Sequence, residues 1–159
     1  MTSVSINPAM AGGGQVSASE QVSLTSTKVM TTLDTLFTAV GTVQILSLVS
    51  ICVTTGTPAA TTMQYQIIPT VGATTTISGT SASLASAVLG TTVVLNGTAV
   101  TTAPDILVAG PALGTTSARP IVFPAGTLGL VIGTGPTTGT WRHTLRYAPL
   151  TPGAYVIAA

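Results

Sequence analysis

The sequence predicts an all-β protein: an antiparallel β-sandwich of jelly-roll-like architecture with an extended N-terminal arm. Two observations carry the prediction. Short runs rich in β-branched residues alternate apolar and polar side chains with a period of two, and glycine- or proline-containing turn signals separate these runs. The 159 residues suit one domain, so we assign residues 1–21 to the arm and residues 22–159 to a single sandwich.

The arm has the composition of a segment outside the core. It contains Gly12, Gly13 and Gly14 among scattered serines and shows no amphipathic period. It also lacks the basic start and apolar centre of a secretory signal. We expect the three glycines to take part in contacts with a neighbouring subunit.

The expected strands follow one another along the sandwich domain. The run 42–54 is largely apolar on both faces, which indicates a central strand. Its odd-numbered residues from Val43 to Val53 are expected to share one face, on which Ser47 is the polar exception. Asn96-Gly97 between apolar runs predicts a type I′ hairpin that pairs 93–95 with 98–100. Residues 81–89 are expected to form one or two helical turns. The other expected strands are 33–40, 61–68, 73–78, 106–109, 120–123, 127–132, 139–147 and 154–157, after a first strand that begins at Val22.

The low number of charges is the most informative feature of the composition. Four basic and three acidic residues make up 4% of the chain, against about 25% in an ordinary domain. Mean hydropathy is +0.66, and 32 threonines supply most of the polar surface. Because so few charges and a net charge near zero promote association, we expect a homo-oligomer whose surface is largely covered by partners.

Membrane insertion and disulfide formation are not expected. The most apolar segment, 40–53, is shorter than the roughly 20 residues of a spanning helix and contains several polar residues. Cys52 is the only cysteine, so it has no internal partner. We therefore expect synthesis in a reducing compartment and no membrane partner.

Few residues could perform catalysis. His143 is the only histidine, and a histidine base needs an orienting partner. The acids Glu20, Asp34 and Asp105 are far apart in the sequence, and no cluster of metal-ligand residues appears. We predict no enzyme activity, no cofactor and no metal.

The segment 139–147 predicts an interface. Two arginines are too few to bind nucleic acid through phosphates, so we expect Arg142 and Arg146 to contact carboxylates or carbonyls of a partner protein. Alternation puts the two arginines with Thr144 on the outer face of this strand, and on the inner face it puts Trp141, His143, Leu145 and Tyr147.

Both ends of the sandwich domain resemble a known group of proteins. Trp141-Arg142-His143-Thr144-Leu145-Arg146-Tyr147-Ala148-Pro149-Leu150, followed by Pro152-Gly153-Ala154 and the apolar 155–159, resembles the close of small virion proteins of tailed bacteriophages. Leu36-Phe37-Thr38-Ala39-Val40-Gly41-Thr42-Val43 is similar to their opening strand pair. The chain departs from them in having few Asp and Glu residues between the strands.

The resemblance implies a β-sandwich that decorates or cements phage heads, or one that belongs to a tail or fibre. We therefore expect a structural subunit of the virion, made in the host cytoplasm, that forms a homotrimer and binds the major capsid protein or another virion protein. A tail or fibre subunit that binds receptors is the main alternative. A jelly-roll hydrolase is a remote one, because the chain offers few catalytic residues.

Overall fold

A computed structural model describes residues 22–29, 33–55, 61–85, 87–95, 99–107, 121–133 and 139–159. Eleven strands and no helix occur in these ranges. The strands are β1 (Val22–Val29), β2 (Leu33–Val40), β3 (Val43–Thr54), β4 (Thr62–Pro69), β5 (Thr75–Thr76), β6 (Thr92–Val94), β7 (Asp105–Leu107), β8 (Ile121–Phe123), β9 (Gly126–Gly133), β10 (Thr140–Pro149) and β11 (Tyr155–Ala158).

The strands form two antiparallel sheets. Sheet A has the order β1-β10-β3-β6-β7, with β8 paired to β3 beside β6, and sheet B has the order β11-β2-β9-β4-β5. The pairs β1–β10, β2–β9, β3–β6 and β4–β5 nest inside one another along the chain and alternate between the two sheets. This is the winding of a jelly roll, extended here by β7, β8 and β11. The predicted all-β antiparallel sandwich is confirmed; the predicted arm lies outside the described residues.

The core lies between the sheets and is built by the inward side chains of both. On β4, for example, Met63, Tyr65 and Ile67 are buried, as their period-two spacing predicts. Aromatic and branched residues from the other strands complete one cluster. Its largest fully buried apolar members include Leu36, Phe37, Ile45, Leu48, Phe123, Leu128, Leu130 and Leu145.

A β-bulge changes which face of β3 is buried. Ile45 pairs with Tyr147 and Ser47 with Arg146, which leaves Leu46 as an extra residue between two paired positions. The expectation that the odd-numbered residues of this strand share one face is therefore wrong beyond the bulge. The prediction of a central strand is confirmed, because β3 lies between β10 and the β6 and β8 pair. Its fully buried inward residues are Val43, Ile45, Leu48, Ser50 and Cys52.

The segment after β5 follows the edge of β4 and does not form a helix. Ser78 Oγ accepts a hydrogen bond from the Tyr65 amide (2.9 Å), and Ser81 Oγ accepts one from the Met63 amide (2.9 Å). The Leu84 amide donates in turn to the carbonyl of Thr61 (2.7 Å). The helical turns expected at 81–89 are absent from 81–85 and 87–89. The Ser81 and Leu84 amides bond to the edge of β4, and the Ala87 amide closes a single turn on the Leu84 carbonyl (2.9 Å).

The strand that pairs with β6 lies further along the chain than expected. Val93 pairs with Ile106, and Val94 pairs with Asp105. The expected pairing of 93–95 with 98–100 across a two-residue turn is therefore wrong. Residues 96–98, including Asn96-Gly97, lie outside the described residues, so the type of turn there stays a prediction.

Candidate functional site

Strand β10 separates an exposed face from a buried one, as its sequence predicts. Trp141 and His143 are buried, and so are Leu145 and Tyr147, whereas Arg142 and Arg146 are exposed. Of the predicted interface residues, the structure thus brings the two arginines to one outer surface. Gly12, Gly13 and Gly14 lie outside the described residues.

Hydroxyl and aliphatic side chains surround the two arginines. Arg142 pairs with Thr27 on one side and with Ile51 on the other, so these three residues form one row across sheet A. Arg146 forms a second row, and four residues of extended strand put about 13 Å between the two arginine Cα atoms. Between them lies Thr144. The outer positions of β1, β10 and β3 that make up these rows are Ser23, Arg146 and Ser47; Thr25, Thr144 and Val49; and Thr27, Arg142 and Ile51.

This outer surface, the arginine face, has a simple electrostatic character. Lys28 does not belong to this face. It pairs with the buried Trp141, so its position is on the inner side of β1. Arg142 and Arg146 are thus the charged residues among the nine positions of the three rows. The face presents two guanidinium groups among uncharged side chains, which suits carboxylates or carbonyl oxygens of a partner.

A polar row crosses the interior of sheet A. His143 pairs with Ser26 on one side and with Ser50 on the other, and all three residues are buried. From sheet B, Tyr65 reaches across the core, and its hydroxyl oxygen lies 2.7 Å from Ser50 Oγ. Ser50 Oγ lies 2.6 Å from His143 Nδ1. A hydrogen-bonded chain therefore runs from one sheet to the other through Tyr65, Ser50 and His143.

The two hydrogen bonds can run in either direction, and the favoured direction is the one that leaves fewer buried polar groups without a partner. His143 Nε2 is buried without a hydrogen-bond partner. If Tyr65 donates to Ser50 and Ser50 donates to Nδ1, the N–H at Nε2 is the one unpaired donor. In the reverse direction, His143 Nδ1 donates to Ser50 and Ser50 donates to Tyr65. Two groups then lack a partner, the Tyr65 hydroxyl proton and the Nε2 lone pair. The first arrangement is favoured because each unpaired buried polar group costs about 1–3 kcal/mol.

Burial controls the acid–base properties of this network. Desolvation lowers the pKa of His143 from 6.5 to about 4. The charge of Asp34 acts in the opposite direction, and that of Lys28 acts in the same direction as burial. Burial raises the pKa of Tyr65, partly offset by its hydrogen bond with Ser50. Burial also raises the pKa of the Cys52 thiol. Histidine and tyrosine are therefore both neutral at pH 7.

The network lacks what a catalytic site requires. A serine within 2.6 Å of a histidine nitrogen is the arrangement of an activated nucleophile. Here, however, Ser50, His143 and Tyr65 are each 0% exposed, so a substrate has no path to the serine. The group beyond the serine is a phenol, and Nε2, where a carboxylate could orient the ring, has no partner. The three side chains bond to one another inside the fold and expose no reacting atom.

Within the described ranges, no group of three or more His, Cys, Asp or Glu side chains comes together as a metal site would require. The described part of the chain also holds no helix of the length and apolarity needed to cross a membrane.

The comparisons with family models, with curated proteins and with solved structures found no match to this chain. The resemblance to phage virion proteins therefore stays a prediction from the sequence. In the sequence, Ser50 is one of several polar residues that interrupt the apolar segment 40–53, and no pattern singles out Tyr65. A serine inside such a run was the available signal, because a buried hydroxyl needs a partner.

Proposed function

We propose that this chain is a non-enzymatic structural subunit of a bacteriophage virion that binds the outer head shell as a capsid decoration, or cement, protein. In this role it forms a homotrimer and contacts the major capsid protein. The observation that carries the proposal is the arginine face: two exposed arginines on an uncharged, hydroxyl-rich surface of a rigid sheet.

The arginine face suits a protein partner. An arginine guanidinium can make paired hydrogen bonds to a carboxylate, and the strand places the two arginine Cα atoms about 13 Å apart. Between them, the threonines and aliphatic residues can pack against a flat surface without leaving a charge unpaired. A partner with two carboxylates at a matching distance would bind here with a defined orientation.

The scarcity of charge supports an assembled state. A chain with four basic and three acidic residues has little electrostatic repulsion to keep copies apart. Exposed apolar side chains occur on the second sheet as well, where Leu33, Val40, Tyr155 and Ile157 are 43–57% exposed. Contacts with identical subunits would cover such surface.

The fold is compatible with the proposal, although it does not decide it. Jelly rolls occur in viral capsid proteins and also in lectins and cupins, and one fold serves many functions. A structural role is supported instead by the inaccessible interior polar network and by the arginine face.

The direct test is binding to particles. Particles made without this chain would be mixed with the purified protein and separated by sedimentation, with intact heads and isolated tails in parallel. The proposal predicts saturable binding to heads at a fixed ratio to the major shell protein. Binding to tails alone, or to host-cell glycans, would instead support a receptor-binding subunit.

A further inference from the structure

We infer that the hydrogen-bonded chain Tyr65–Ser50–His143 is an acid-sensitive latch between the two sheets. The latch depends on the fold alone and is independent of any binding partner. It is placed where the sheets face each other: Ser50 and His143 belong to sheet A, and Tyr65 belongs to sheet B.

Protonation reverses every hydrogen bond of the latch. In the neutral state, Tyr65 donates to Ser50, and Ser50 donates to the lone pair of His143 Nδ1. A proton taken from solvent at Nδ1 turns this nitrogen into a donor, so the Ser50 proton must rotate away from it toward the Tyr65 oxygen. The Tyr65 proton then points to no acceptor in the network. Acid therefore leaves two buried donors without partners, the Tyr65 hydroxyl and Nε2.

The surroundings of His143 do not compensate the added charge. The titratable and charged side chains that face the ring are Lys28 from β1, Asp34 from β2, Cys52 from β3 and Tyr65 from β4. Lys28 and Asp34 have opposite effects on the ring. Ser26, the other neighbour of His143 in its row, donates its hydroxyl to an oxygen of Ala159 (3.3 Å). A buried imidazolium here is consequently costly.

The effect on stability has a defined sign and pH window. In the unfolded chain His143 titrates at about 6.5, and in the folded chain at about 4, so between these values the unfolded state binds more protons. Stability is therefore complete above pH 6.5 and is lost as the pH falls toward 4. The lowering of the His143 pKa from 6.5 to about 4 corresponds to a rise of roughly a few hundredfold in the unfolding equilibrium constant, on the order of 3 kcal/mol.

The composition makes this effect unusually easy to isolate. His143 is the only histidine, and histidine is the side chain whose unperturbed pKa puts its charge change between pH 5 and 8. The main side chain that titrates between pH 5 and 7 in the unfolded protein is thus His143. Trp141, the only tryptophan, is buried two residues away on the same face, so its fluorescence reports on the packing beside the latch.

Two measurements on the full chain test the latch. The first is the NMR titration of the single imidazole in the unmodified protein, for which we expect a pKa at least 1.5 units below 6.5. The second compares thermal melts of the unmodified protein and of His143→Gln, from pH 7.5 to pH 4.5. We expect the unmodified protein to lose about 5–10 °C over this range and the variant to lose much less.

Either measurement can overturn the inference. An imidazole pKa above about 5 in the folded protein would show that the ring takes up its proton without the expected cost to the fold. Equal loss of melting temperature in the unmodified protein and in His143→Gln would assign the acid sensitivity to the carboxylates. If the variant does not fold, the NMR titration of the unmodified protein still decides.

Discussion

Tyr65 of sheet B and Ser50 of sheet A have their hydroxyl oxygens 2.7 Å apart in the buried space between the two sheets. A second polar contact joins the sheets nearer to their edge, where the Tyr147 hydroxyl accepts a hydrogen bond from the Val156 amide (3.1 Å). Apolar packing between sheets is not directional, whereas these hydrogen bonds are. The two contacts therefore fix how one sheet lies over the other.

Removing Ser50 should cost more stability than removing the Tyr65 hydroxyl. Ser50→Ala leaves both the Tyr65 hydroxyl and His143 Nδ1 without partners, so we expect a loss of about 2–4 kcal/mol. Tyr65→Phe leaves the bond between Ser50 and His143 intact and should cost about 1 kcal/mol. Urea unfolding at pH 7.5 measures both. Ser47→Ala, on the outer face of the same strand, is the control, and a loss as large there would remove the special role of Ser50.

Trp141 should be one of the most important core residues. Its side chain is 2% exposed, and Trp141→Ala is expected to cost about 3–5 kcal/mol because a large cavity remains. Unfolding followed by circular dichroism gives the value. Tyr155→Ala is a matched control, because this aromatic residue is 49% exposed on the edge strand β11, and it should cost less than about 1 kcal/mol. An unchanged melt for Trp141→Ala would contradict the inward orientation of β10.

Two glycines of β9 should respond differently to the same substitution. Gly126 has a φ of +151°, and a Cβ there would lie 2.3 Å from the carbonyl oxygen of Ile68. Gly126→Ala is therefore expected to cost about 3 kcal/mol or more. At Gly129 a Cβ would meet its nearest atom at 3.4 Å, so Gly129→Ala should stay within about 1 kcal/mol. Thermal melts of the two variants give the comparison; equal effects would contradict the register of β9.

The sequence predicted the faces of some strands and not of others, for a physical reason. In β10, the register with β1 is unbroken over eight residue pairs, so simple alternation assigned Trp141 and Arg142 to the correct faces. In β3, the bulge at Leu46 shifts the alternation by one residue. Since both faces of that strand are apolar, its sequence holds no contrast that would reveal the shift.

The interior network was beyond what the sequence could predict. Ser50 and His143 are 93 residues apart along the chain, and only the nested strand pairing brings them side by side. Tyr65 becomes the third residue of the network only because the stacking of the two sheets places its hydroxyl against Ser50. The exposed arginines, in contrast, required nothing more than the local period of β10.

The arginine face should be needed for binding and not for folding. The double variant Arg142→Ala, Arg146→Ala is expected to melt within a few degrees of the unmodified protein, because both side chains are exposed. Its affinity for particles should fall at least about tenfold, since each charge-assisted hydrogen bond lost costs about 1.5–3 kcal/mol. Co-sedimentation with particles measures this. Thr25→Ala with Thr144→Ala, a neutral change on the same face, is the control, and unchanged binding of the arginine variant would exclude this face as the interface.

The central claim, that the chain decorates a phage head, is tested most directly by the protein composition of virions purified after expression of the genome that encodes the chain. Quantitative mass spectrometry of separated heads and tails gives the number of copies of this chain for each copy of the major shell protein. The proposed function predicts that the chain is found with the heads, in a fixed ratio that indicates three-fold groups on the outer shell. Absence of the chain from virions, or its presence in the tail fraction alone, would contradict the proposal.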